Sequence, residues 1–121
     1  MRLLKQQKPY LNTMNIINHN WKKIIIILLI VYLSNTGLKY IINQDRPVDA
    51  CSESPGFPSG HAAVSFALIP LFNMHPFSIL LALVISTERV FSHEHTLIQV
   101  IAGALFGFVV SYIFNKITIS K

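Results

Sequence analysis

The chain has 121 residues, of which 52% are hydrophobic and 12% are charged, and its mean hydropathy is +0.50. Soluble domains contain about 25% charged residues, so this composition is that of a membrane protein with a single domain. The net charge of +5 does not indicate a nucleic-acid partner, because the basic residues are not clustered on one polar face. Cys51 is the only cysteine, which excludes an internal disulfide and a Cys-based metal site.

The first apolar run follows a polar, Asn-rich flank. Residues 1–20 form this flank, which we interpret as basic and cytoplasmic. Trp21, Lys22 and Lys23 form an interface anchor, and residues 24–42 are nearly all apolar. As a helix this run is about 28 Å long, close to the bilayer core of about 30 Å. No small-x-small cleavage site follows, so we expect an uncleaved span and not a signal peptide.

Three further apolar runs follow, separated by polar segments at 43–58, 73–76 and 90–94; they cover residues 60–72, 77–85 and 96–114. The third run becomes polar at residues 86–89. We therefore predict an all-α integral membrane bundle of about four transmembrane helices. Residues 21–116 would be its membrane core, and residues 117–121 a cytoplasmic tail.

The charges are distributed unevenly between the two ends of this predicted bundle. Seven of the ten Lys and Arg residues lie at the end that carries both termini. Lys39, Arg46 and Arg89 lie at the opposite end, together with all five acidic residues. The positive-inside rule then predicts cytoplasmic termini and outward-facing polar loops, in an inner membrane of the bacterial type.

The segment Pro58-Ser59-Gly60-His61 precedes the second apolar run and is typical of a helix start. Ser59 is a candidate N-cap, and His61 would lie in the first turn. The start of a helix carries free N–H groups and a partial positive charge, which favour an anion such as phosphate. A histidine there can protonate a leaving group.

Three cations and a second histidine accompany this segment at the outer end. Lys39 and Arg46 are seven residues apart, so they can share a helix face, although Pro47 biases Arg46 to the helix boundary. Arg89 and His95 flank the last connection. Taken singly, Lys39 can be a snorkelling side chain and Arg46 a solvated loop charge. Taken together, cations can neutralise phosphate oxygens while one histidine attacks phosphorus and the other protonates the leaving oxygen. No carboxylate cluster with metal-ligand spacing occurs, so we predict neither a metal nor a cofactor.

These residues form three motifs in a fixed order: Lys39-x6-Arg46-Pro47, Pro58-Ser59-Gly60-His61 and Arg89-x5-His95. The set resembles the signature of the type 2 phosphatidic acid phosphatase superfamily, which includes acid phosphatases and vanadium-dependent haloperoxidases. The resemblance covers roughly residues 22–115 and points to the membrane lipid phosphatase branch. It implies a site at the extracytoplasmic ends of the helices.

The resemblance also implies a role for each motif residue. His95 would be the nucleophile, giving a phosphohistidine that water hydrolyses, and His61 would be the general acid. The phosphate oxygens would be bound by Lys39, Arg46 and Arg89, with further hydrogen bonds from Ser59 and the Gly60 backbone.

Two positions depart from the pattern of the family. Glu88 stands where the third motif usually has Ser, and Gln99 stands where an Asp usually follows the nucleophile by four residues. Gln99 lies one helical turn beyond His95, so its amide oxygen is expected to accept from the imidazole and orient it as part of the catalytic set. It cannot supply negative charge; Glu94 or Glu88 is the alternative source.

The chain is also short, because the match begins at the third of the six helices common in membrane members. It would be a minimal enzyme, a homodimer that completes the bundle, or a truncated relic. Gly103 and Gly107 form a Gly-x3-Gly pair that allows close helix packing, within the bundle or between chains.

The sequence thus predicts a metal-independent phosphatase acting on a lipid phosphate or pyrophosphate monoester. Its partners would be that lipid phosphate and membrane lipids, with no nucleic acid. The alternatives are a catalytically weakened lipid-phosphate-binding membrane protein and a lipid phosphotransferase that uses the same intermediate.

Overall fold

The protein folds into four α-helices joined by three loops; they are α1 (Arg2–Ile42), α2 (Gly60–Leu71), α3 (Pro76–Phe91) and α4 (Leu97–Ile119). The computed structural model describes the backbone of residues 2–119 and the side chains of residues 21–118. No strand occurs between residues 2 and 119, so the predicted all-α class is confirmed.

The ends of α1 and α2 determine where the loop between them lies. α1 ends at Ile42 because Asn43 adopts a left-handed conformation (φ 53°), and its N–H donates to the carbonyl of Lys39 over 2.8 Å. Arg46 therefore lies in the predicted loop at 43–58, and the helix face that its spacing would let it share with Lys39 does not form. α2 begins after Ser59, whose hydroxyl accepts the N–H of Ala62 over 3.4 Å, which confirms the predicted N-cap.

α3 is longer than the apolar run predicted. It begins after the turn at Asn73 and Met74, both left-handed, and His75 caps it by accepting the N–H of Phe77. The polar residues 86–89 continue the helix to Phe91, because no helix-breaking residue precedes the left-handed His93.

α2 lies at the centre of the bundle and packs against each of the other helices. α3 packs mainly on α2 and touches α4 only sparsely; α1 and α3 make no contact within the described range 2–119. The innermost apolar cluster joins α1 to α2 and consists of Ile27, Val31, Ala63 and Ala67. Because alanine is short, the backbone of α2 can be approached closely from several sides.

α2 and its cap approach α4 closely at the two glycines of the Gly-x3-Gly pair. A Cβ built at Gly107 would overlap the carbonyl of Ala63 and lie 2.7 Å from its Cα. One helical turn further, Ser111 donates to the carbonyl of Ala67 over 2.6 Å. Of the two roles considered for the glycines, the structure shows packing within the bundle.

Two helical segments are long and apolar enough to cross a membrane, Trp21–Ile42 and Leu97–Thr118. Only 17% and 33% of their most apolar windows are buried, whereas the core helix of a soluble protein is mostly buried. Their outer faces expose large side chains such as Tyr40, Ile41 and Leu105. α2 and α3 have 12 and 16 residues and are about 18 and 24 Å long.

Candidate active site

The predicted site residues lie at one end of the bundle, where α1 and α3 end and α2 and α4 begin. Each belongs to a helix terminus or to the loop beside it; they are Lys39, Arg46, Ser59, Gly60, His61, Arg89, His95 and Gln99. Successive helices run antiparallel, so the ends of α1 and α3 and the starts of α2 and α4 lie on the same side of the bundle. Motifs that are distant in the sequence therefore meet there.

His95 is the buried centre of this end, with 2% of its surface exposed. Its Nδ1 atom is 2.9 Å from the carbonyl oxygen of Gly56, and its Nε2 atom is 3.3 Å from Nη1 of Arg46. A carbonyl oxygen can only accept, so Nδ1 must carry the proton and donate it. The lone pair then lies on Nε2 and accepts from the Arg46 guanidinium. These two bonds select the neutral imidazole with an unprotonated Nε2, which is the form that a nucleophilic histidine requires.

The surroundings of His95 also disfavour its protonated form. Burial, together with the positive charges of Arg46 and Lys39, lowers the pKa of the imidazole to about 4, while the hydrogen bond to Gly56 acts in the opposite direction. Above that pH the ring is neutral, which is the form that can attack phosphorus.

The His95 ring is expected to stay neutral down to about pH 4, well below the pKa of about 6.5 of a free histidine. As pH falls through about 4 the ring binds a proton, and the nucleophilic lone pair is lost. Nuclear magnetic resonance of ring-labelled histidine, in the detergent-solubilised protein, measures this titration. The signal is assigned by its absence from His95→Asn, and a His95 titration near pH 6.5 would contradict the geometry.

Arg46 is held in place by four further hydrogen bonds. Nε donates to the carbonyl of Ser54 over 2.9 Å, and Nη2 donates to its hydroxyl over 3.0 Å. Nη1 donates to the carbonyl and to the carboxylate of Glu94, both over 3.2 Å. Only 9% of the Arg46 side chain is exposed. The guanidinium is therefore fixed beside the His95 imidazole by contacts within the protein alone.

Glu94 is a carboxylate placed between two arginines. Its Oε2 atom is 3.2 Å from Nη1 of Arg46 and 3.9 Å from Nη2 of Arg89, and its Oε1 atom accepts the N–H of Cys51 over 3.0 Å. The N–H groups of Cys51 and Ser52, together with Arg89 and Arg46, lower the pKa of Glu94 despite its partial burial. The Glu94 carboxylate thus lies where the two guanidinium groups converge. An arginine pair binds the oxygens of a phosphate in the same way.

The start of α2 is positioned by α1 and α4. The N–H of Ser59 donates to the carbonyl of Gln99 over 3.0 Å, and Asn35 donates to the carbonyl of Pro58 over 3.2 Å. Nζ of Lys39 lies 3.6 Å from the position that a Cβ would take at Gly60. The lysine ammonium and the free N–H groups of α2 therefore face the same small space.

His61 stands in the first turn of α2 and is exposed. Its electrostatic neighbours are Arg89, Lys39, Glu88 and Arg46, so it belongs to the same cluster as the buried histidine. An exposed imidazole can exchange protons with water, unlike His95.

This cluster of cations and histidines at one end of a helical bundle was compared with known proteins. A scan against protein-family models matches residues 20–119 to the PAP2 superfamily. The chain belongs to the PAP2 superfamily. This confirms the resemblance drawn from the three motifs and supports phosphatase-type activity on phosphate esters. Searches of curated proteins and of solved structures found no match.

Gln99, one of the two departures from the PAP2 pattern, does not contact the imidazole of His95. Its Oε1 atom accepts the N–H of Thr96 over 3.0 Å, and the Thr96 hydroxyl accepts the N–H of Gln99 over 3.2 Å. This reciprocal pair is a capping box at the start of α4. The Nε2 atom donates to the side chain of Gln44 and to the carbonyl of Asp45, both over 2.8 Å. The expected Gln99–His95 bond is therefore replaced by the Gly56 carbonyl.

Gln99→Asp, which restores the usual PAP2 residue, is expected to lower the unfolding temperature and not to raise activity. A carboxylate cannot donate to the Asp45 carbonyl, and leaving that acceptor unpaired costs about 1–3 kcal/mol. Thermal unfolding in detergent and phosphate release measure the two effects. Gln99→Glu is the control, since it keeps the capping box and loses only the donor. Higher activity in Gln99→Asp would contradict this account.

The sequence did not indicate all the residues of this PAP2 site. Gly56 orients His95, Ser54 holds Arg46, and Asn35 holds Pro58, yet none belongs to a motif. Gly56 carries the one available signal, a glycine in a Pro-rich loop. A Cβ there would lie 2.8 Å from Cγ of Arg46 and 2.8 Å from the amide of Gln99. No group of His, Cys, Asp or Glu residues suited to a metal ion occurs among the side chains at 21–118.

Proposed function

We propose that this PAP2 superfamily member is an integral membrane phosphatase that hydrolyses a lipid phosphate or pyrophosphate monoester. The observation that carries the proposal is the environment of His95. The imidazole is buried, neutral and held at Nδ1, and its Nε2 atom faces a fixed guanidinium. This is the arrangement that a nucleophile needs when its target is a phosphoryl group surrounded by cations.

In the first step the phosphate binds to Lys39, Arg46 and Arg89 and to the free N–H groups at the start of α2. Nε2 of His95 then attacks the terminal phosphorus, and the bond from that phosphorus to its leaving oxygen breaks. His61, in its protonated form, gives its proton to that oxygen, so a phosphate ester leaves as the lipid alcohol and a pyrophosphate ester as the lipid monophosphate. The Nδ1–H of His95 stays bonded to Gly56 and keeps the ring oriented.

In the second step water hydrolyses the phosphohistidine. His61, now neutral, takes a proton from the water as its oxygen attacks phosphorus. The N–P bond breaks and the electron pair returns to Nε2 of His95. Inorganic phosphate leaves, and both histidines are restored. Because His61 is exposed, it can exchange protons with the aqueous phase between cycles.

The site is proposed to face outward, with all four helices inserted in the membrane. The apolar outer faces of α1 and α4 support insertion, and the excess of basic residues at the opposite end supports cytoplasmic termini. The phosphate of a membrane lipid lies at the interface, which is the depth at which the helix ends would place His95.

The test of the proposal is phosphate release by the detergent-solubilised protein from a panel of lipid phosphates. The panel contains phosphatidic acid, phosphatidylglycerol phosphate and a polyprenyl pyrophosphate, and each assay is repeated with a chelator. We expect release from at least one lipid at a rate that the chelator does not change. Absence of release from every member would refute the phosphatase proposal.

A second candidate, a lipid-phosphate-binding protein without turnover, is favoured by one observation. The usual carboxylate beside the nucleophile is replaced by a carbonyl, which is weaker at stabilising a developing imidazolium. Such a protein would bind phosphatidic acid vesicles and release no phosphate. The cations that bind phosphate are the same in both candidates, so only turnover distinguishes them.

A further inference from the structure

We propose that an apolar groove between α3 and α4 binds the hydrocarbon chain of the lipid whose phosphate reaches His95. This α3–α4 groove has a volume of about 380 Å³ and is lined mainly by Phe66, Leu83, Val90, Leu97, Val100 and Ile101. The inference rests on the proposed function, because it assigns the lipid part of the same substrate. It names which pair of helices the lipid chain lies between.

The groove begins beside the proposed phosphate site. Val90 follows Arg89 directly, and Leu97 follows His95 by two residues, so each wall starts within two residues of a member of the site. From Leu97 the groove runs along α4 to Ala104, a distance of about 10 Å along the helix. This direction leads away from the polar end and into the apolar part of the bundle. A chain esterified to a phosphate at His95 would therefore enter the groove at its polar end.

Three buried polar atoms lack a partner within the described side chains, 21–118; one is Oδ1 of Asn35 on α1, and the other two lie on α3. These two are the hydroxyl of Ser86, which lines the groove, and Nε of Arg89, one helical turn further along α3. Ser86 is only 6% exposed, and buried hydroxyl groups normally have a hydrogen-bond partner. A hydrocarbon has no acceptor, whereas the head of a lipid chain carries an ester or ether oxygen. Ser86 therefore indicates a chain with a polar head.

A second apolar cavity, at the other end of the bundle, is a poor candidate for this role. It has a volume of about 350 Å³ and is lined by residues such as Leu68, Phe72 and Phe77. These residues lie at the end of α2 and the start of α3, which is the end of the bundle opposite His95. A lipid chain there would not place its phosphate at the site.

The groove is tested by filling it. Ile101→Trp inserts a large side chain into the groove, and Ile113→Trp is the matched control, since the two residues are 49% and 48% exposed on the same helix. The assays compare dioleoyl phosphatidic acid with p-nitrophenyl phosphate, which has no chain.

Ile101→Trp is expected to lower kcat/KM for the lipid about tenfold, the effect of losing roughly two buried methylene groups. It should change kcat/KM for p-nitrophenyl phosphate less than about twofold, and Ile113→Trp should leave both values unchanged. An unchanged ratio between the two substrates in Ile101→Trp would overturn the proposal.

Photolabelling keeps the groove testable without turnover. A phosphatidic acid with a photoreactive group in its chain is irradiated with the wild-type protein, and the labelled peptides are mapped. We expect label on the segments 83–91 and 97–104, competed by dioleoyl phosphatidic acid and reduced about three- to tenfold by Ser86→Ala. Label spread evenly over α1 and α4 would overturn the groove. Label in the groove without phosphate release would refute the proposed function alone.

Discussion

Replacing His95 with alanine is expected to lower phosphate release by about 10³-fold or more, to the background of the assay. The substitution removes the atom proposed to attack phosphorus, and among the side chains at 21–118 no other imidazole occupies that buried position beside Arg46. The measurement is kcat/KM for the best lipid phosphate of the panel, with the purified wild-type protein as reference.

Two control variants separate chemistry from folding. His95→Asn can still donate to the Gly56 carbonyl through its amide, so it should fold like the wild type and remain inactive. His93→Asn changes an exposed histidine two residues away, and asparagine tolerates its left-handed backbone (φ 61°). That variant should keep full activity. Wild-type activity in His95→Ala would contradict the account.

Gly103→Ala is expected to lower both the unfolding temperature and the activity. A Cβ at this position would overlap the carbonyl oxygen of Ser59 and lie 2.9 Å from its nitrogen. α4 would have to move away from the turn that starts α2. Overpacking of this kind costs about 1–3 kcal/mol, and a shift of about 1 Å in a catalytic geometry can cost about 10²-fold in rate.

Gly37→Ala is the control for Gly103→Ala. Gly37 is also helical, yet a Cβ there would meet nothing within 4 Å. Alanine favours a helix over glycine by about 1 kcal/mol, so Gly37→Ala should unfold at the same temperature or higher, with unchanged activity. Thermal unfolding in detergent and kcat/KM are measured for both variants. If Gly103→Ala behaved like Gly37→Ala, the close packing of α4 on Ser59 would be contradicted.

The helices could be predicted because each signal was local. Apolar runs, the Ser59 cap and the turn at 73–76 depend on neighbouring residues only. α3 was predicted too short because polarity does not end a helix when no breaking residue follows. Arg46 lies in the predicted loop and not on a helix face shared with Lys39, because the left-handed Asn43 ends α1 before it.

The residues of the candidate site could be predicted from the sequence, but the hydrogen bonds that hold them could not. The three motifs name the charged and nucleophilic groups, since those side chains are fixed by the chemistry of phosphate. The partner of His95 is a backbone carbonyl, which every residue carries, and therefore no sequence pattern identifies Gly56. The role of Gln99 depended on whether its side chain hydrogen-bonds to His95 or to the start of α4. The capping box with Thr96 directs it to the start of α4.

Trapping of the covalent intermediate tests the central claim most directly. The protein is mixed with radiolabelled p-nitrophenyl phosphate, quenched within one turnover and analysed for bound phosphate. We predict a label on the wild-type protein that is stable in alkali and labile in acid, as expected for phosphohistidine, located on the peptide that contains His95 and absent from His95→Asn. Turnover without any label on that peptide, or equal labelling of His95→Asn, would contradict the account.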